Sequence, residues 1–538
     1  MNREKRKEPR MFTGVLLLTL AGVAEKILGV ILKIPLSGYL GSEGMGYFNS
    51  AYNIFSTFYT VSVTGLPIAT SIMVSRSRTK GRKLEVHHIF RVSLMLFLAI
   101  GIIGSAIMFF GAGTIATLID KKNNSPYCIQ AISPILLLIC VSSSIRCYFQ
   151  GHQNMLPSAV SEFLDAFGKC ALGICFGGYA ATHGYSVEIC AAAAIMGIVI
   201  GHLFGMGFLI VTKCVSKPDY SYLGIEIDEQ NSERYSTLIK KMLLIALPIT
   251  LSSLALGLTS TIDTFTIMNV LKSDNAMGLY GDYTTLAVTL YRLPHALIVP
   301  ISSSLTPALA SAIASKNETK TKVTLFSAFK IAAILSIPCT IGMGVLSRPI
   351  ISLLFGRSYS AAVIKNTAPL LSVLSVAIFL MAMLTITSSV LQSYGKQHLP
   401  VISMSCGTVV KLILNIVLIA NFGIIGAPIA TTASYFVMVV LNFAFALKYT
   451  DVNTKIFKAF LSPLIAMLCC VPVTVGSFIL FARFVSHEAF ATLLSVLVTA
   501  IIYFFALFIT KAFTKDDIMM LPKGKKIYSL LVKIKLMK

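Results

Sequence analysis

Seven lysines and arginines lie within long apolar stretches of this chain: Lys26, Lys33, Arg146, Lys169, Arg292, Lys330 and Lys411. A cation in hydrocarbon is costly, and one that persists there faces a water-filled cavity, a partner or an anionic ligand. Lys26, Lys169, Arg292 and Lys411 fall near mid-segment, where a side chain cannot easily reach the interface. For these a cavity and an internal ion pair are the two readings. Arg146 and Lys330 have a third, snorkelling toward a boundary, and Arg91, close to a boundary, is expected to snorkel. Glu162, Asp165 and Lys169 stand at i, i+3 and i+7, so they share a helical face, and Asp165 can pair with Lys169 one turn on. Lys26 and Lys33 are two turns apart on one stripe, which could follow an extended anionic headgroup. Glu25 points about 100° away from its neighbour Lys26 and cannot share its lining position. Asp263 stands mid-segment with no adjacent cation. Either a coupling cation or proton, or a partner on another helix such as Arg292, would explain it. A cationic interior of this kind implies passage of something large, amphipathic and negatively charged.

The elements that must carry these charges are membrane helices. The chain has 538 residues, 56% hydrophobic and 12% charged, about half the charge of an ordinary soluble domain, and its mean hydropathy is +0.81. A span needs about 20 mostly apolar residues. Fourteen candidates follow: 11–36, 46–74, 86–111, 128–149, 157–180, 187–212, 238–270, 279–311, 322–346, 367–392, 399–420, 424–447, 456–481 and 489–510. The net charge of +23 does not point to nucleic acid, because the basic residues sit in short loops and at both ends. Connections on the side of the N-terminus hold 30 Lys and Arg against 7 on the other, which puts both termini in the cytoplasm. Met1–Arg10 is basic, but the apolar stretch after it is too long for a cleavable signal. The eleven Cys lack metal or disulfide spacing and read as small packing residues. The expected fold is all-α and polytopic, with 1–212 as one six-helix lobe, 213–237 as a cytoplasmic linker, 238–448 as a second lobe, and 449–538 as two further helices and a basic tail.

The two halves echo each other. Phe149-Gln150-Gly151-His152-Gln153-Asn154-Met155-Leu156-Pro157 precedes the segment with Lys169, and Leu391-Gln392-Ser393-Tyr394-Gly395-Lys396-Gln397-His398-Leu399-Pro400 precedes the one with Lys411. The Gln and Lys pairs are each 242 residues apart, and Met45-Gly46 recurs as Met277-Gly278 at 232. Both halves start on the cytoplasmic side with six spans, so the repeat is parallel, with its axis along the membrane normal. Transporters built this way place substrate between their halves and rock them. Pro and Gly inside spans, as in Gly65-Leu66-Pro67, Pro248, Pro294, Pro300, Pro307, Pro338 and Gly426-Ala427-Pro428, are candidate bends.

The run Leu20-Ala21-Gly22…Lys26-Ile27-Leu28-Gly29…Lys33-Ile34-Pro35-Leu36, then Gly41-Ser42-Glu43-Gly44-Met45-Gly46-Tyr47 and Gly65-Leu66-Pro67-Ile68-Ala69, resembles the start of polysaccharide flippases of the stage V sporulation protein B type. These belong with lipid II flippases in the multidrug/oligosaccharidyl-lipid/polysaccharide exporter superfamily. Arg146-Cys147-Tyr148-Phe149-Gln150-Gly151, Arg292-Leu293-Pro294-His295-Ala296-Leu297 and Gly423-Ile424-Ile425-Gly426-Ala427-Pro428 are similar to it too. The resemblance implies two six-helix lobes around a cationic cavity, with the last two helices at the side. It implies a cargo of undecaprenyl-pyrophosphate-linked saccharide moved to the outer leaflet. Lys26, Lys33, Arg146, Lys169 and Arg292 then match basic positions, and Asp165 an acid that is more often Glu. Lys169 stands where Arg is usual, which keeps the charge but loses the bidentate fork. Glu43, Glu162, Asp165 and Asp263 are the candidate coupling or structural acids. Some relatives carry a sodium site, for which Asp263, Asn415 and Thr431 are the counterparts, but Ile419 replaces a second acid expected there.

The sequence therefore reads as a flippase for a lipid-linked oligosaccharide, most simply a peptidoglycan precursor such as lipid II, in the bacterial cytoplasmic membrane. Lys411 joins the cationic set as the repeat partner of Lys169. No nucleotide motif is present, so energy would come from the membrane potential or from a sodium or proton gradient, without a resident cofactor. Membrane lipids and the polyprenyl-linked glycan are the expected partners. Nucleic acid is not one, and the chain is expected to act as a monomer, with envelope-synthesis proteins as associates. A drug–cation antiporter of the same superfamily should favour acids in its cavity. A glycosyltransferase would need catalytic groups in sizeable outer loops, which are short here. A pure scaffold has no need of buried charge.

Overall fold

The computed structural model describes residues 8–120, 125–216, 232–450, 452, 458–484 and 488–510. The basic N-terminal residues 1–7, most of the expected linker (217–231) and the basic tail 511–538 lie outside the described residues. Among the described residues there is no strand, and the chain forms two compact units, Met1–Thr285 and Leu286–Lys538.

The first unit runs through α1 (Glu8–Val63), α2 (Gly65–Thr79), α3 (Lys83–Phe110), α4 (Ala112–Ile119), α5 (Tyr127–Gly151), α6 (Leu156–Thr182), α7 (Val187–Val215), α8 (Tyr235–Val270) and α9 (Ala276–Asp282). The first two expected spans are redistributed. α1 is broken at Gly41, whose φ of 64° only glycine adopts readily. It then continues to Val63, so the expected 46–74 segment is divided between α1 and α2. Leu66, Ala69, Ile89, Phe97, Cys147, Leu238 and Met242 join α2, α3, α5 and α8 in one core. A polar seam also ties α1 to its neighbours. Asn53 Nδ2 donates to Tyr280 Oη at 2.7 Å and Asn49 Nδ2 to Thr285 Oγ1 at 2.8 Å, while Thr57 and Thr261 share a hydroxyl contact. Such bonds hold helices together where lipid supplies no hydrophobic drive. Through this packing α8 and α9 group with the first unit. The first compact unit thus runs to residue 285.

The second unit opens on the remainder of a π-helical turn (Tyr283–Val288) and α10 (Thr289–Tyr291). It continues with α11 (His295–Ala314), α12 (Glu318–Val345), α13 (Ser347–Phe355), α14 (Ala361–Ser393), α15 (His398–Phe422), α16 (Gly426–Tyr449), α17 (Lys458–Phe484) and α18 (Glu488–Ile509). The expected 279–311 span is bent by 44° before His295, where Pro294 removes a helical hydrogen bond. Gly423, with φ of 69°, turns α15 into α16. α17 and α18 pack on α12, with Ala333, Ile337, Met467, Cys470 and Leu507 buried together and Tyr503 Oη donating to Ile334 O at 3.1 Å.

Eight helices among the described residues are long and apolar enough to cross a membrane, or nine with the bent pair. This does not establish fourteen. The difference has visible causes: α15 and α16 count as one 52-residue stretch, and α6, with Glu162, Asp165 and Lys169, is not among the eight. The order α3-α4-α5-α6-α7 is matched by α12-α13-α14-α15-α16, each with a short helix in second place. In both, the first packs on the third, the third on the fifth, and the fourth on the fifth. The duplication read from Lys169 and Lys411 is thus present in helix order and packing.

The tightest joint is between α6 and α7. A Cβ on Gly201 would lie 2.4 Å from the Gly168 carbonyl carbon, and one on Gly197 2.2 Å from Leu172 O. Gly197, Gly201 and Gly205 recur every four residues and let the backbones touch. Gly201→Val is expected to lower the stability of the purified protein by about 1–3 kcal/mol or more, because the clash is with backbone. Gly207→Ala, on the same helix with open space at its Cβ, should leave the thermal unfolding midpoint in detergent unchanged or higher.

Candidate functional site

Three helices of the first unit bring charged groups together. α5 supplies Ser142 and Arg146, one turn apart. α6 supplies Ser161, Asp165 and Lys169, and α7 supplies His202. The close α6–α7 approach places His202 against Asp165, since a larger residue than Gly205 would strike Asp165 Cβ, 2.9 Å from the position of its own Cβ.

Asp165 is the centre. Lys169 Nζ donates to its Oδ2 at 2.9 Å, the i,i+4 pair expected from spacing. His202 Nδ1 donates to its Oδ1 at 2.6 Å, and Arg146 Nη2 stands 3.9 Å from Oδ2. Arg146 Nε donates to Ser161 Oγ at 2.9 Å. His202 is fully buried, and its Nε2 lies 3.0 Å from Ser142 Oγ. Ser142 has one hydrogen and two groups in reach, Leu138 O at 3.0 Å and His202 Nε2. Its rotor and the protonation of His202 are therefore linked.

Lys169 and Arg146 stand against Asp165 and, in electrostatic range, against Glu162 and Glu25, so the two cations are not in excess over the carboxyl groups around them. Arg146 Nη2 is buried and makes no hydrogen bond among the described residues. A buried donor with a formal charge and no acceptor is costly, and an anion arriving there would satisfy it.

The other expected residues are placed as follows. Lys26 is exposed and Lys33 half-buried on α1. Of the adjacent pair, Glu25 is the one in electrostatic range of Lys169 and Glu162. Glu162 is half-buried one turn before Asp165, with Arg146 in range. Glu43 is exposed at the α1 break. Asp263 is buried on α8.

In the second unit, Arg292 is exposed with its Nε 3.4 Å from Tyr291 Oη. Lys330 is buried with its Nζ 5.6 Å from the centre of the Phe326 ring. Lys411 is 2% exposed. Asn415 and Ile419 follow it at one-turn intervals along α15, both buried, and Thr431 is buried on the neighbouring α16. Asp263 thus belongs to one unit, and Asn415 and Thr431 to the other.

Position 407, the repeat counterpart of Asp165, is glycine. Its Cβ would lie 2.2 Å from Met438 Cγ. Where the first unit has Arg146 and Ser161, the second has Ser388 and Ser403, joined through Asn442. Asn442 Nδ2 donates to Ser388 Oγ at 2.9 Å, and Ser403 donates to Asn442 Oδ1. The ionic junction is replaced by a neutral one.

Sequence reasoning did not reach His202, Ser142 or Ser161. Gly197-x-x-x-Gly201-x-x-x-Gly205 was legible as a close-packing run. A histidine inside it was the available signal.

The polysaccharide biosynthesis protein family matches residues 11–313, and the MatE family residues 248–417. The chain is 25% identical over 521 residues to stage V sporulation protein B of Bacillus subtilis (strain 168), covering 95% of this chain and 97% of the relative. It is 25% identical over 472 residues to the lipid II flippase MurJ of the same organism, covering 83% and 84%. The uncharacterized membrane protein YabM, also from B. subtilis, is 28% identical over 440 residues, covering 80% and 79%. The solved structure of a lipid II flippase MurJ in an inward closed conformation aligns with a TM-score of 0.68 at 17% identity, covering 92% of this chain and 98% of that one. An inward-facing multidrug resistance MATE family transporter of the MOP superfamily aligns at 0.67 and 18% identity, covering 81% and 100%. The two likenesses establish the fold.

Removing one partner of a buried ion pair strands the other. Asp165→Asn is expected to cost about 3–5 kcal/mol, and Lys169→Gln in the same chain to recover a good part of it. A double-mutant cycle on thermal or denaturant unfolding in detergent checks this. Additive effects would show that the two side chains do not depend on each other.

Proposed function

Because the chain belongs to the polysaccharide biosynthesis protein family, within the MOP exporter superfamily, we propose that it is a flippase for a polyprenyl-pyrophosphate-linked saccharide, most simply a peptidoglycan precursor such as lipid II. The observation that carries this reading is the buried Nη2 of Arg146, which stands beside Asp165 with no hydrogen-bond acceptor among the described residues. A pyrophosphate diester is a compact double anion, and a guanidinium is the side chain best suited to it. Arg146 is the proposed phosphate contact. Asp165, held by Lys169 and His202, keeps the two cations apart and oriented. Lys26 and Lys33 on α1, and Arg292 and Lys411 in the second unit, are further candidate contacts along the transport path. The saccharide would cross through a wet interior while the polyprenyl tail stays in lipid.

The same reading places the chain in a bacterial cytoplasmic membrane with both termini inside, in keeping with the charge asymmetry of its connections. Transport would draw on the membrane potential or an ion gradient. A cationic drug, the natural cargo of an antiporter, offers no acceptor to the Arg146 donor. Another polyprenyl-linked polysaccharide unit would present the same headgroup and is separated from lipid II only by a transport test.

That test is rescue of a bacterium depleted of its lipid II flippase, with variants compared at matched membrane levels. Wild type is expected to restore growth. Arg146→Gln is expected to lose roughly 1.5–3 kcal/mol of headgroup binding, about a ten- to hundredfold fall in transport, and to fail. Lys26→Ala measures how far α1 contributes. Well-expressed wild type that does not rescue would exclude lipid II and leave other polyprenyl-linked saccharides. Equal rescue by Arg146→Gln would remove Arg146 from the phosphate site.

A further inference from the structure

Another buried carboxylate, away from this cluster, is Asp282. Asp282, the last residue of α9, is 8% exposed, and its Oδ1 is buried without a hydrogen bond. The side chain of Ser42 on α1 hydrogen-bonds the carboxylate. α9 packs against α1 and α8. The described charged side chains of α1 are Glu25, Lys26, Lys33 and Glu43, and those of α8 are Lys240, Lys241 and Asp263. None of them forms an ion pair with Asp282 among the described residues.

The setting is unusual on both sides. Gly41, immediately before Ser42, breaks α1, and the π-helical turn starts immediately after Asp282. Such turns are rare and frequent at functional sites. α1 and α9 touch there without room for side chains. A Cβ on Gly281 would lie 2.0 Å from Ser42 O, and one on Gly46 2.4 Å from Met277 O. An anion enclosed this tightly is strongly disfavoured. It must be neutralised or reached by water.

We propose that Asp282 and Ser42 form a site for a small monovalent cation, a proton or a sodium ion, whose binding holds α9 against the broken part of α1. Both sources supply the same chemistry, one positive charge at Oδ1. Loss of the cation leaves a bare carboxylate that drives the two helices apart, so occupancy is tied to helix closure. This does not depend on which cargo the chain carries.

The experiment is thermal unfolding of the full chain in nanodiscs, over a pH series without sodium and over a sodium series at fixed pH with choline as the balancing cation. Wild type and Asp282→Asn are compared. Asparagine is the neutral isostere and mimics the loaded state. Wild type is expected to gain stability on loading, and Asp282→Asn to be as stable as loaded wild type and flat in the responsive arm. A difference only in the pH arm identifies the proton, and one in the sodium arm identifies sodium. Identical responses of wild type and variant in both arms, or no wild-type response in either, overturn the proposal.

If Asp282→Asn does not fold, Ser42→Ala decides. It keeps the carboxylate and removes the hydroxyl. The midpoint should move about fivefold, toward lower acidity for a proton or toward higher sodium concentration for sodium. An unchanged midpoint overturns the proposal.

Discussion

A carboxylate inside a membrane protein has to be satisfied from within, and Asp165 shows how much structure that demands. Its two oxygens take an ammonium and an imidazole, with a guanidinium beside them. These groups come from three helices, and α6 and α7 must lie in backbone contact for His202 to reach. That contact needs glycine every fourth residue on α7, because any Cβ there would meet backbone. The helix packing and the charge cluster therefore answer one electrostatic requirement. Satisfying the acid leaves Arg146 Nη2 buried without an acceptor among the described residues, and that donor is what makes the cluster useful for binding an anion.

The duplicated unit shows what happens when the requirement is removed. Helix order and pairwise packing are retained from α3–α7 to α12–α16, yet Gly407 stands where the acid would be. The junction around Asn442 is made of neutral amide and hydroxyl groups. Neutral hydrogen bonds hold helices together in lipid without importing charge. Lys411 persists on α15, buried and one turn from Asn415. The two halves have kept a scaffold and divided the chemistry, with the ionic network in the first unit and a polar but largely uncharged one in the second.

Much of this was legible in the sequence. Long apolar runs interrupted by basic residues specify membrane helices, since bilayer thickness sets their length. The i,i+4 spacing of Asp165 and Lys169 specifies their pair, since helix geometry alone brings them together. The repeat showed as equal offsets between Gln150 and Gln392 and between Lys169 and Lys411. These features are local or periodic, and such patterns survive in one dimension.

Other features could not be read that way. Whether Gly41 breaks a helix within a span, or whether 46–74 is one helix or parts of two, depends on which neighbours the backbone meets. His202 and Ser142 join Asp165 across helices, at sequence distances that carry no period. The setting of Asp282 depends on which helices pack around it and on Ser42, far away in the sequence. The sequence by itself determined the class of protein, the presence of long apolar helices and the pair on α6, because hydrophobic length and helical pitch act within one segment. Only the tertiary structure decided that Arg146 Nη2 lacks an acceptor and that Asp282 has no ion-pair partner among the described residues, because burial and pairing belong to the space between segments.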